Sequence, residues 1–126
     1  MKVLFYTAIN CMDGRVQLPV ISYLKKRFDA QYVDVVTEPG PVAYLADQAD
    51  AAMVNSIIQR IDISIKKHNS CGIAIVAHYD CAGNPVPKAK QLEQLDLAAR
   101  FLTQRYPDTK VIGLWVDDKW SVSEVC

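Results

Sequence analysis

Five consecutive residues, Gly72-Ile73-Ala74-Ile75-Val76, carry no polar side chain. A short run that is apolar at every position, and partly β-branched, reads as a strand buried on both faces. Such a strand needs a cover on each side, which points to a mostly parallel sheet between helical layers. The rest of the chain supplies those layers by alternation. A first strand is expected over about Lys2–Ile9 and a second over about Gln31–Thr37. The apolar run itself forms the third and ends at His78, and a fourth covers Lys110–Val116. Between them, helical periodicity appears over Leu18–Phe28, with Leu18, Ile21, Leu24 and Phe28 on one stripe and Pro19 in the first turn. After the Pro39-Gly40-Pro41 break, a long helical stretch runs to about Lys67, interrupted near Ala49–Asp50. Val54, Ile57, Ile58, Ile61 and Ile65 form its apolar face. A further helix, about Lys88–Tyr106, carries Leu92, Leu95, Ala98 and Leu102 on one side. The tail Asp117–Cys126 is expected to add one short edge strand.

These elements make an α/β fold: a doubly wound, mostly parallel four-stranded sheet of order 2-1-3-4, with helices on both faces. The 126 residues suffice for one domain with a real core, expected to span the whole chain 1–126. Fourteen basic and fourteen acidic residues give no net charge, so nothing points to a nucleic-acid or membrane partner. No apolar run approaches the ~20 residues of a membrane helix. The start, Lys2 followed by an apolar run, leads into Asp13 and Arg15 without a small-residue cleavage site, so it reads as a first strand rather than a signal peptide. The chain is therefore expected to be cytoplasmic, where four cysteines stay reduced and point to metal, catalysis or packing before disulfides.

In the 2-1-3-4 order, strands 1 and 3 are neighbours and the direction of winding reverses between them, which is where ligands bind in open α/β sheets. Cys11 follows strand 1; His78 and Cys81 follow strand 3. Topology thus brings together two sulfurs and an imidazole, a donor set suited to zinc. Three protein ligands leave a tetrahedral ion one open position, as in catalytic sites. Cys71 and His68 fall at the opposite end of the sheet. Cys126 reads as a frayed free thiol. Taken singly, a buried cysteine or a strand-end histidine is more often a packing residue than a ligand. The convergence of all three raises the ligand reading.

The two motifs, Cys11-Met12-Asp13-Gly14-Arg15 and His78-Tyr79-Asp80-Cys81, resemble those of the β-class carbonic anhydrases, with Cys-x-Asp-x-Arg after the first strand and His-x-x-Cys after the third. The resemblance covers nearly the whole chain. It implies zinc on Cys11, His78 and Cys81, an Asp13–Arg15 pair beside the metal, and a homodimer with active sites near the interface. The sequence departs from the family pattern in three places. It starts at the first strand without the family's helical arm, which helps build the dimer and supplies a substrate-binding glutamine. It has Thr37-Glu38-Pro39-Gly40 where the family has Arg-Asn-Ala-Gly. Ala82 also precedes Gly83 after the second cysteine. The chain reads as a minimal or divergent member.

The chemistry follows from the donors. Bound zinc lowers the pKa of water toward neutrality, less so with two thiolates than with three imidazoles. A nearby acceptor is then useful. Asp13 is placed for that role, and Arg15 can hold it ionised. Asp13 could alternatively bind the metal itself. Three functions compete: reversible hydration of carbon dioxide to bicarbonate, hydrolysis of carbonyl sulfide or carbon disulfide with the same ligands, and a non-catalytic zinc-binding or redox-responsive module. Tyr79, Asp80 and Glu38 are neighbouring groups, none of which the sequence singles out as a proton shuttle.

Overall fold

The computed structural model describes residues 3–126. The strands are β1 (Phe5–Cys11), β2 (Tyr32–Glu38), β3 (Gly72–His78), β4 (Lys110–Val116) and β5 (Val122–Glu124). The helices are α1 (Gln17–Phe28), α2 (Pro41–Asp47), α3 (Ala51–Lys67) and α4 (Lys88–Arg105), with a single 3₁₀ turn at Gly14–Val16 ahead of α1. The sheet order is β2-β1-β3-β4-β5. The first four strands are parallel, and β5 returns antiparallel along β4. The expected doubly wound order is therefore present, with the tail as a fifth strand. All seven residues of β3 are buried, as its unbroken apolar run requires. Lys2, placed in strand 1 from sequence, lies outside the described residues.

Two apolar layers flank the sheet. On one side, α2, α3 and α4 close over Ile9, Ile73, Ile75, Ala77 and Trp115. On the other, α1 covers Tyr6, Ala8, Ala74, Val76 and Leu114, in a layer that also takes in Cys11 and Cys81. The long helical stretch divides where the chain leaves α2 through Gln48 in the left-handed region. It restarts at Asp50, whose side chain accepts from Met53 N at 3.0 Å and caps α3. The α3 stripe is core as expected, with Val54, Ile57, Ile58 and Ile61 buried. Among the described residues, no helix is long and apolar enough to cross a membrane.

Three expectations are corrected. The buried stripe of α1 is Val20 and Leu24, continued upstream by Val16, whereas Leu18 is 74% exposed. Two apolar stripes share Leu24, and the 3₁₀ turn sets the phase by driving Val16 inward. Strand 1 extends past Ile9, because Asn10 and Cys11 pair with Thr37 and Glu38 of β2. Cys11 is thus the last strand residue rather than a loop residue. Cys126 is a free thiol but is not frayed: its carbonyl accepts from Gly113 N at 2.9 Å, and Val125 N donates to the Gly113 carbonyl at 2.9 Å.

Because Ile61 has no exposed surface and sits between α3 and the sheet, Ile61→Ala is expected to cost about 2–5 kcal/mol, read as a fall in the urea midpoint. Leu97, on the outer face of α4 and half exposed, should tolerate alanine within about 0.5 kcal/mol in the same titration.

Candidate metal centre

The pairing of β1 with β3 aligns Ile9 with Ile75. Cys11 lies two residues beyond the first and His78 three beyond the second, so both side chains stand at the carboxyl end of adjacent strands. A turn then brings Cys81 back. The ligating atoms of Cys11, His78 and Cys81 all lie within 4.8 Å of one another, and all three residues are buried. Among the described residues no other His, Cys, Asp or Glu joins such a group. Cys71 is exposed at the opposite end of the sheet, where its backbone N–H donates to the Phe5 carbonyl.

Two features fit this trio to a metal ion. His78 Nδ1 donates to the Tyr79 carbonyl at 2.7 Å, which leaves Nε2 as the lone-pair nitrogen. That Nε2 is buried without a hydrogen-bond partner, a costly state unless something binds it. The two sulfurs are 3.8 Å apart. Two donors at ~2.3 Å from one tetrahedral centre are about 3.8 Å from each other, so the pair is spaced as zinc ligands are. The trio is compatible with zinc.

The surrounding backbone favours thiolates. The Cys11 thiol is driven well below the ordinary range: Cys81 donates to it, burial opposes, and the N–H groups of Asp13 and Gly40 add to the lowering. Cys81 is driven up, chiefly because it gives its hydrogen to Cys11 and also by burial, although the N–H groups of Gly83 and Asn84 face it. A divalent cation bound by both sulfurs would displace the proton they share.

Beside the trio, Asp13 and Arg15 form the expected pair, in fork-to-fork geometry. Arg15 Nη2 lies 2.7 Å from Asp13 Oδ2, and Nε lies 3.1 Å from Oδ1. The Arg15 backbone N–H also donates to Oδ1 at 2.9 Å. The Arg15 side chain first, then its backbone N–H, hold the Asp13 carboxyl down to about 2, against burial, which raises it. The Asp13 carboxylate is turned to Arg15 and is not among the clustered ligating atoms. Glu38, a neighbour by sequence, is committed to an ion pair with Arg60 on α3.

Several supporting residues escaped the sequence reading. Gln17 Nε2 donates to the carbonyls of Cys11 at 2.6 Å and Asp13 at 3.2 Å, tying down the loop between them. Asn10, fully buried, accepts from Cys11 N at 2.9 Å and donates to the Val16 carbonyl at 3.2 Å. Gln91 donates to the His78 carbonyl at 2.9 Å. Asn10 carried a signal, as a polar residue in an apolar strand next to a cysteine. Gln17 and Gln91 look like ordinary first-turn helix residues.

The fold and the site define a β-carbonic-anhydrase-type protein. Residues 1–126 match the family described as "Putative carbonic anhydrase", and the chain belongs to that family. No curated protein matches it. Among solved structures, it is similar to one of two β-carbonic anhydrases from Sordaria macrospora described as tetrameric. The TM-score is 0.60 and the identity 14%, covering 99% of this chain and 82% of that one. It is also similar to the β-carbonic anhydrase CafA of Aspergillus fumigatus, with a TM-score of 0.52 and 17% identity over 98% of this chain and 75% of that one.

Gly40 has a left-handed φ of 62°, and a Cβ there would lie 2.7 Å from Asn84 Cβ. Gly14, also next to the site, has open space around it. Gly40→Ala should therefore destabilise by roughly 1–3 kcal/mol and Gly14→Ala by less than about 0.5 kcal/mol, compared by denaturant titration.

Proposed function

We propose that the chain is a zinc-dependent carbonic anhydrase that interconverts carbon dioxide and bicarbonate. One observation carries the reading: a buried Cys11–His78–Cys81 trio with sulfurs 3.8 Å apart and an unpartnered His78 Nε2, beside a carboxylate already locked to an arginine. In this reading Cys11, His78 and Cys81 would hold the ion. Zinc bound there supplies an acidified water and Lewis acidity. The remaining work belongs to the chain. Asp13, ionised throughout the physiological range, accepts a hydrogen bond from the attacking water and orients its lone pair toward the carbon. Arg15 keeps that carboxylate charged and aimed. Tyr79 fixes the imidazole tautomer through its carbonyl, and Gln17 keeps Asp13 at its distance from Cys11. The apolar layer around both sulfurs keeps bulk water from the ligands.

Self-association belongs to the same reading. The chain is proposed to form a homodimer, a pairing supported by the tetrameric description of the Sordaria relative and by an open sheet edge at β2. Retained thiols suit a cytoplasmic setting.

The test is metal content together with carbon dioxide hydration on the purified chain. One zinc per chain with turnover supports the proposal. Zinc with hydrolysis of carbonyl sulfide alone, or zinc without any turnover, would replace it by a different activity or by a binding role. Cys81→Ser should lose most of the zinc, whereas Cys71→Ser should keep it. Asp13→Asn should keep zinc and lose at least roughly a hundredfold in turnover, because an amide has a single acceptor oxygen and its NH2 group cannot pair with the donors of Arg15.

A further inference from the structure

Arg15 is held by more than Asp13. Its Nη1 lies 3.3 Å from Asp80 Oδ2, and its Nη2 donates to the Asp80 carbonyl at 3.1 Å. The central carbon of the guanidinium lies over the Trp120 ring, 4.6 Å from its centre. Trp120 comes from the β4–β5 turn, far away in sequence. It is partly buried against the apolar layer that contains Cys11, Val16 and Cys81, and Tyr79 meets it edge-on at 6.5 Å.

The backbone is bent to achieve this. Trp120 has φ +59°, an unusual conformation for a bulky aromatic residue, and Asp80 has φ +57°. Among the described residues five non-glycines have positive φ, and two of them grip this one arginine. Asp117 builds the turn: its Oδ1 accepts from Lys119 N and Ser121 N, each at 2.9 Å, and its carbonyl accepts from Trp120 N at 3.0 Å. Unfavourable backbone at two contacts to a single side chain is the kind of strain that surrounding structure imposes for a purpose.

We propose that Trp120 is a positioning residue, which clamps the plane of the Arg15 guanidinium so that its fork holds the Asp13 carboxylate in one orientation. The Arg15 side chain is 44% exposed, and an arginine on such a surface samples many rotamers. The indole face removes that freedom on one side, and Asp80 removes it at the far edge of the fork. Trp120 acts through Arg15. Its consequence for turnover rests on the carbonic anhydrase reading above, whereas the clamp itself does not.

The experiment therefore reads both. On the zinc-loaded full chain, the Arg15 Nε–H resonance is followed by nitrogen–proton NMR for its exchange with water, alongside kcat and KM for carbon dioxide. Trp120→Leu keeps apolar bulk and removes the π face. It should speed Nε–H exchange by roughly tenfold and lower kcat by a similar factor, with KM and zinc content unchanged. Trp120→Phe should recover most of both. Asp117→Ala, which leaves the indole in place and loosens its turn, should speed the exchange in the same direction and provides a second route if Trp120→Leu does not fold. Unchanged Nε–H exchange in both Trp120→Leu and Asp117→Ala would overturn the clamp. Faster exchange in a protein whose wild type hydrates no carbon dioxide would uphold the clamp and overturn the carbonic anhydrase reading instead.

Discussion

Everything at this site depends on the parallel pairing of β1 with β3. A sheet can place two cysteines and a histidine from distant parts of a chain together only if the strands that carry them are neighbours and end level. The pairing of Ile9 with Ile75 does both. The alternative, a one-residue slip, would turn every side chain of one strand to the other face. That slip is opposed by two apolar layers, since Ile73 and Ile75 face the three-helix side while Ala74 and Val76 face α1. The cysteine–histidine trio thus inherits its precision from ordinary core packing.

Around that constraint, the loops are pressed together rather than left free. The β2–α2 turn at Gly40 lies directly on Gly83 and Asn84, where no side chain larger than hydrogen fits at Gly40 without strain. This contact brings backbone N–H groups to the sulfurs of Cys11 and Cys81 from two different loops. Gly40, at the end of the Thr37-Glu38-Pro39-Gly40 segment, is therefore part of the site through its backbone. Likeness in fold to the Sordaria and Aspergillus proteins at 14% and 17% identity shows how little sequence is needed to keep this frame.

The sequence made the sheet order and the three clustered side chains legible because both follow from coarse signals: alternation of periods, and chemistry at strand ends. It also made the Asp13–Arg15 fork legible, since two residues apart is within local reach. It misplaced the α1 stripe, because Leu18 and Val20 are equally apolar and only the preceding 3₁₀ turn decides which of them faces inward. It missed Gln17, Gln91 and Trp120 for a different reason. Each acts through a contact that exists only once the loops are folded, and none belongs to a residue type that announces metal or acid–base chemistry. The tail was expected to contribute a strand, and it does. That its turn also delivers an indole to Arg15 depends on a left-handed backbone at Trp120, which no propensity would suggest.

On the proposed reading, zinc is held by two sulfurs and one imidazole, with one position left for a water. X-ray absorption at the zinc edge of the purified protein examines that coordination directly. Two sulfur donors at ~2.3 Å, one imidazole nitrogen at ~2.0–2.1 Å and one further light-atom donor are expected. A coordination sphere with three or four sulfurs, or with light atoms alone, would contradict it.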